Sequence, residues 1–130
     1  MAETYLLDTD ILIEYLRGRQ KAIQYLESLK GELVISVISV AELAAGLKDE
    51  DEEHQLKSLL VALKPIPVDL LISQTGGEFQ RTYGFKYGTG LADALIAATA
   101  HHMTATLVTF NKRHFSVLEK IEVPYQLHES

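Results

Sequence analysis

The 130-residue chain has no cysteine and only three prolines. Without cysteine there is no disulfide, no thiolate zinc site and no cysteine nucleophile. Any metal must therefore sit on oxygen or imidazole ligands. No stretch approaches the ~20 apolar residues that a membrane helix needs, and the most apolar run, Leu91 to Ala100, contains Asp93. The N-terminus MAETYLLDTD lacks a basic region followed by a long apolar run, so no signal peptide is expected. These absences predict a cytoplasmic protein with no membrane partner. Basic charge is also in short supply: 12 Lys and Arg stand against 18 Asp and Glu, a formal net charge of −6. Proteins that bind nucleic acid by charge alone are usually basic. An acidic chain can act on such a polymer only where metal ions and a local cluster of Lys and Arg offset its own carboxylates.

There is no linker, low-complexity tract or internal repeat, which predicts one domain over residues 1–130, long enough to bury a core. A hydrophobic content of 47% with 23% charged residues suits a folded chain rather than a disordered one. The pattern predicts a strand over Glu3–Leu7, ending at Asp8, and a helix carrying Ile11, Leu12, Tyr15 and Leu16 to about Gly18. A second helix is expected over Gln20–Lys30, terminated by Gly31. Leu33–Ser36 follows as a buried strand, with a helix over Val40–Leu47. The acidic run Asp49–Glu53 opens a helix with Leu56, Leu59, Leu60 and Leu63 as its core stripe, and Pro65 and Pro67 bracket an extended piece ending at Val68. A helix over Asp69–Tyr83 contains the unfavourable Gly76-Gly77 pair, and Tyr83–Gly90, with three glycines, reads as a loop. Leu91–His102 is a helix apolar nearly all round, Thr106–Thr109 a strand, and Ile121–Val123 an edge strand. Short buried strands alternating with helices indicate an α/β fold with a mostly parallel sheet of four to five strands flanked by helices.

Ligands of such sheets bind beyond the carboxyl ends of the strands. Asp8, Glu42, Asp93 and Asn111 all fall at or near that rim, with Glu42 expected in the first turn of its helix. Carboxylates gathered in a folded interior repel one another unless a cation sits among them. Hard oxygen ligands suit Mg2+ or Mn2+, and such an ion can activate water and clamp a phosphate oxygen, as phosphodiester hydrolysis requires. Each position also has a purely structural reading. Ser39-Val40-Ala41-Glu42 matches a capping box, Asp8 and Asp10 could cap the first helix, and Asp93 suits a first turn. Asn111 is a common turn residue. Asp93 tips the balance, because it interrupts a helix with almost no polar face.

Other features carry no chemistry at this level. Asp49–Glu53 lacks the ligand spacing of a calcium loop. His101 and His102 end a helix, with no further histidine at zinc-ligand spacing. Gly84, Gly88 and Gly90 do not follow a strand and spell no dinucleotide or P-loop fingerprint.

Four segments, in order, resemble the PIN-domain nucleases, and among them the VapC toxins of bacterial and archaeal toxin–antitoxin systems. They are Leu6–Ile13 (LLDTDILI), Ile38–Leu43 (ISVAEL) with Gly46 following, Leu91–Ala100 (LADALIAATA), and Leu107–Asn111 (LVTFN) leading to His114-Phe115. The resemblance spans nearly the whole chain. It implies a Mg2+- or Mn2+-dependent endoribonuclease acting on RNA such as tRNA or rRNA and leaving 5′-phosphate ends, a homodimer, and a cognate antitoxin that blocks the acidic pocket. It further implies that Asp8 and Asp93 are the principal metal ligands, that Glu42 completes the cluster directly or through water, and that Thr9 and Thr109 are supporting hydroxyls. The family's fourth acidic position falls on Asn111, which removes one negative charge. One tightly held ion in the free protein is therefore expected, with any second arriving alongside RNA. Lys112, Arg113, Arg81 and Lys86, with Arg17 and Arg19, are the candidate phosphate contacts.

Three alternatives stay open from the residues. One is the same nuclease chemistry in RNA processing without an antitoxin, and another is a PIN-like binding module that has lost catalysis. The third, an aspartate-nucleophile phosphatase, is suggested by Asp8-Thr9-Asp10, but Ile11-Leu12 follows where that class has Gly-Thr.

Overall fold

The computed structural model describes residues 3–127. Its elements run β1 (Glu3–Leu7), α1 (Thr9–Leu16), α2 (Gln20–Ser28), β2 (Gly31–Ser36), α3 (Val37–Ala45), α4 (Glu50–Ala62), β3 (Lys64–Ile66), α5 (Leu70–Tyr87), α6 (Leu91–Met103), β4 (Thr106–Val108), a 3-10 turn (Lys112–Phe115) and β5 (Ile121–Glu122). The five strands pair in the order β3-β2-β1-β4-β5, every pair parallel. That agrees with the expected α/β class and parallel sheet.

Adjacent strand residues point to opposite faces, and each central strand feeds two cores accordingly. Leu7, Ile35 and Val108 join Ile11, Leu12, Leu26, Leu43, Leu56 and Leu59 under α1 to α4. Leu6, Val34 and Leu107 join Ile96, Ala97, Ala100 and Phe115 under α6. Leu6, Leu7, Val34, Ile35, Leu107 and Val108 are all fully buried, as strands covered on both faces must be.

The chain leaves β1 towards β2 and β3 on one side, then returns to β4 and β5 on the other. The strand order thus reverses between β1 and β4, where a crevice opens beyond the strand ends. In the β1–β4 register Leu7 faces Val108, so the next residues out, Asp8 and Thr109, flank that point.

Several local expectations are corrected. Gly31 is the first residue of β2 rather than a helix terminator. Helix α3 begins at Val37, three residues early, because Ser36 caps it by accepting a bond from Ile38 N at 3.0 Å. Ser39 and Glu42 therefore do not form the expected capping box, and Glu42 lies in the second turn. The real capping arrangement is on α4: Asp49 accepts from Glu52 N at 2.9 Å while Glu52 accepts from Lys48 N at 2.9 Å.

The expected loop at Tyr83–Gly90 is helical as far as Tyr87, and Gly88, at φ +68°, is the left-handed cap. The Gly76-Gly77 pair does not interrupt α5. A β-carbon at Gly76 would stand 2.6 Å from Leu95 Cδ2 and 3.2 Å from Leu95 Cα, so its absence allows α5 to lie close against α6. Among the described residues no helix is long and apolar enough to cross a membrane.

Candidate active site

Asp8 is the hinge between β1 and α1. Its backbone N donates to Val108 O at 2.9 Å, tying it to the end of β4. Its side chain is the N-cap of α1, accepting from Thr9 N at 2.8 Å, and is 5% exposed. The other carboxylate oxygen, Oδ2, accepts from Thr109 Oγ1 at 2.7 Å. Burial and the neighbouring Asp10 charge push this carboxyl up to about 7, with Asp93 adding to the rise and the bonds from Thr109 and Thr9 opposing it.

Asp10 reads from the sequence as a cap or as part of a phosphatase-like pair with Asp8, and both its oxygens are committed to the protein's own groups. Oδ1 accepts from Ile11 N at 2.7 Å; Oδ2 accepts from Phe110 N at 2.9 Å and lies 3.2 Å from Thr109 Oγ1. It therefore pins the segment leaving β4 to the start of α1. Burial raises its pKa, the backbone bonds hold it down, and Asp93 adds repulsion. The Asp-x-Asp spacing at a strand end is the signal in the sequence for this role.

Asp93 enters from the first turn of α6, half-buried, and its carboxyl is raised by burial and by the Glu42 charge. His114 opposes that rise, with Nδ1 3.5 Å from Asp93 Oδ2. This imidazole is the second group that sequence reasoning does not single out. The backbone of this residue is held by Thr89, whose hydroxyl donates to the His114 carbonyl at 2.6 Å.

Glu42 reaches the rim from α3. Its Oε1 accepts from Thr9 Oγ1 at 2.6 Å, and Thr9 Oγ1 also lies 2.9 Å from Ser39 Oγ. Thr9 thus ties α1 to α3 across 33 residues of sequence.

Asn111 begins the 3-10 turn, exposed and with no capping bond from its side chain, while its N–H donates to Thr109 Oγ1 at 3.0 Å. Thr109 is fully buried. Lys112 and Arg113 follow on the exposed side of this turn. Arg81 and Lys86 lie on the last turns of α5, and Arg17 and Arg19 pair with Glu14 at 4.0 and 3.9 Å.

Asp93 thus lies within electrostatic reach of Asp8 and Asp10 on one side and of Glu42 on the other, so the fold gathers carboxylates from three separate segments. Among the described residues, no three His, Asp or Glu side chains are closed into ligating geometry around one point. Glu42 is engaged by Thr9 and Asp93 by His114, so the rim is open. Its donors are hard oxygens whose mutual repulsion and burial disfavour the charged forms, a set suited to a hard divalent cation.

The PIN domain family model matches residues 5–121. The chain belongs to the PIN-domain family. Within this family it is 37% identical over 123 residues to Ribonuclease VapC10 of Mycobacterium tuberculosis, covering 92% of each chain. It is 35% identical over 124 residues to Ribonuclease VapC19 of the same organism, covering 92% of this chain and 98% of the relative. Among solved structures, a toxin–antitoxin complex from Klebsiella pneumoniae superposes with a TM-score of 0.82 at 29% identity, covering 95% of this PIN domain chain and 99% of that one.

Proposed function

We propose that this PIN domain is a divalent-metal-dependent endoribonuclease and the toxin of a toxin–antitoxin pair. One observation carries the reading: carboxylates remote in sequence share one field at the topological switch point, in a chain whose close relatives are named ribonucleases. Asp8 and Asp93 would hold a Mg2+ or Mn2+ ion, with Glu42 completing the set directly or through water. A bound ion of this kind supplies a water of lowered pKa and polarises a phosphate oxygen.

The chain's own groups do the positioning. The Thr109 hydroxyl fixes Asp8 Oδ2, and the Thr9 hydroxyl fixes Glu42. His114 sits against Asp93, and Lys112 and Arg113 stand on the same 3-10 turn, where a phosphate backbone would be held.

The antitoxin partner is supported by the Klebsiella complex, whose fold this chain shares. A groove between α1, α3 and α4 opens beside Glu42, with Ile13, Leu16, Leu43 and Leu47 as its apolar wall and Arg17, Lys48, Asp51 and Glu52 as its charged lining. An apolar segment of that partner seated there would reach the acidic rim. A homodimer belongs to the same proposal and is read by light scattering.

The deciding experiment incubates wild type and Asp93→Asn with cellular RNA in Mg2+, Mn2+ or EDTA and sequences the new ends. Expected is cleavage leaving 5′-phosphates in either metal, abolished by EDTA and by Asp93→Asn. Equal cleavage by both proteins, or none by either, removes the nuclease reading. Calorimetry on the RNA-free protein should show one tight metal site; two equally tight sites would contradict the single-ion expectation.

A further inference from the structure

We infer that His114 is a positioning residue for Asp93: its Nδ1 holds one carboxylate oxygen so that the other is left for a divalent cation. This rests on the metal-dependent ribonuclease reading above and adds to it a group outside the carboxylate set.

The three carboxylates are held unequally. Asp8 is buried, with Oδ1 accepting from Thr9 N at 2.8 Å and Oδ2 from Thr109 Oγ1 at 2.7 Å. Glu42 Oε1 accepts from Thr9 Oγ1 at 2.6 Å. Asp93 is half-buried in the first turn of α6, and its Oδ2 lies 3.5 Å from His114 Nδ1. Among the described residues, its side chain has no other hydrogen-bond or ion-pair partner. Each carboxylate is thus met by a side-chain donor from another segment. For Asp93 that donor alone selects among the staggered positions that a partly exposed aspartate can take.

The imidazole can serve because its own place is set without Asp93. The His114 carbonyl accepts from Thr89 Oγ1 at 2.6 Å, and its N–H donates to Asn111 O at 3.1 Å. Thr89 is buried, and the next residue along the turn, Phe115, is fully buried in the core under α6. The opposite edge of the ring faces the end of α5, where a β-carbon at Gly88 would stand 3.6 Å from Nε2 and 3.7 Å from Cδ2. A carboxylate beside Nδ1 and backbone carbon beside Nε2 assign the ring proton to Nδ1, which then donates.

Groups that orient the ligands of a metal matter nearly as much as the ligands, and losing one weakens binding by about 10–100-fold. A carboxylate that is not held must be ordered as the ion arrives, and that ordering subtracts from affinity.

Calorimetry of Mn2+ binding to the full, RNA-free chain tests the role, with RNA cleavage followed at the same pH as Mn2+ is raised. His114→Leu should weaken Mn2+ binding on the order of tenfold or more. His114→Asn puts an amide N–H near the Nδ1 position and should stay within a few-fold of wild type. His114→Gln puts its donor near Nε2, towards Gly88, and should lose as much as His114→Leu. Saturating Mn2+ should bring His114→Leu close to the wild-type cleavage rate, because occupancy rather than chemistry is impaired. His114→Asn against His114→Gln decides the matter even if His114→Leu does not fold in EDTA.

Wild-type affinity in His114→Leu, beside a wild type that itself binds Mn2+, removes the positioning role and leaves the nuclease reading standing. Equal losses in His114→Asn and His114→Gln also overturn it, since ring packing rather than the Nδ1 donor would then shape the site. So does cleavage that stays slow at saturating Mn2+, which would put His114 in the reaction itself. A wild type that binds no Mn2+ takes away the metal-dependent reading, and this role with it.

Discussion

The Thr109 hydroxyl donates to Asp8 Oδ2 at 2.7 Å, joining two residues 101 positions apart at the ends of neighbouring strands. The same oxygen accepts from Asn111 N at 3.0 Å. Thr109→Val keeps the shape but leaves a buried carboxylate oxygen and a backbone N–H without partners. Loss of such bonds costs about 1–3 kcal/mol. Urea unfolding should show that loss for Thr109→Val and little for Thr109→Ser. The valine variant should also cleave RNA more slowly, since Asp8 is no longer held. An unchanged urea midpoint would mean that the hydroxyl anchors nothing.

Asp8 makes stability depend on pH in the metal-free protein. Its folded pKa lies near 7 against 3.8 for the free group, chiefly through burial and then through Asp10. A raised carboxyl pKa means that the folded state binds the proton more tightly than the unfolded state. Its contribution is thus complete below about pH 4 and is lost as pH rises through about 7. The full loss is at most about 4 kcal/mol. In EDTA the urea midpoint should fall between pH 5 and pH 8. Mg2+ or Mn2+ should restore it at pH 8, because a ligand of the charged form stabilises the folded state by mass action. Asp8→Asn should flatten both effects. A midpoint that rises over this range without metal would show the acidic cluster to be unstrained.

The sheet is legible in the sequence because buried strands are short apolar runs, and Leu6-Leu7, Val34-Ile35 and Leu107-Val108 mark its centre plainly. The rim position of Asp8, Asp93 and Asn111 follows from strand and helix boundaries alone. Glu42 is misplaced by a turn, because Ser36 and Ser39 offer equivalent caps locally and only tertiary packing selects Ser36. The helical state of Tyr83–Tyr87 is hidden by its glycines for a similar reason: a β-carbon at Gly84 would stand 3.0 Å from the Thr89 carbonyl where the chain turns back after α5, a close approach that no local propensity reveals. Asp10 and His114 do not stand out since their partners, Phe110 N and Asp93, are brought to them only by the fold.

The two central glycines of α5 should respond oppositely to alanine. Gly76→Ala drives a methyl into Leu95, whose Cδ2 would be 2.6 Å away, and overpacking of that kind costs about 1–3 kcal/mol. Gly77 is exposed and has nothing within 4 Å of a built β-carbon, so Gly77→Ala should gain about 0.5–1 kcal/mol by stiffening the unfolded chain. Thermal unfolding of the pair reads the sign directly. Stabilisation by both would mean that α5 does not lie as close to α6 as described.

Lys112 and Arg113 face solvent on the 3-10 turn that leaves β4, beside the segment that Asp10 pins. If they meet RNA phosphates, binding releases counterions, and affinity falls with salt by about 0.7 log units per log unit for each phosphate on a single strand. Lys112→Ala/Arg113→Ala should therefore weaken RNA binding at low salt and flatten the slope by about that amount for every phosphate left without its cation. Because both side chains are exposed, folding stability should hardly change. The expected signature is convergence: variant and wild type bind alike at high salt and differ most at low salt. Parallel salt plots would mean that these cations meet no phosphate.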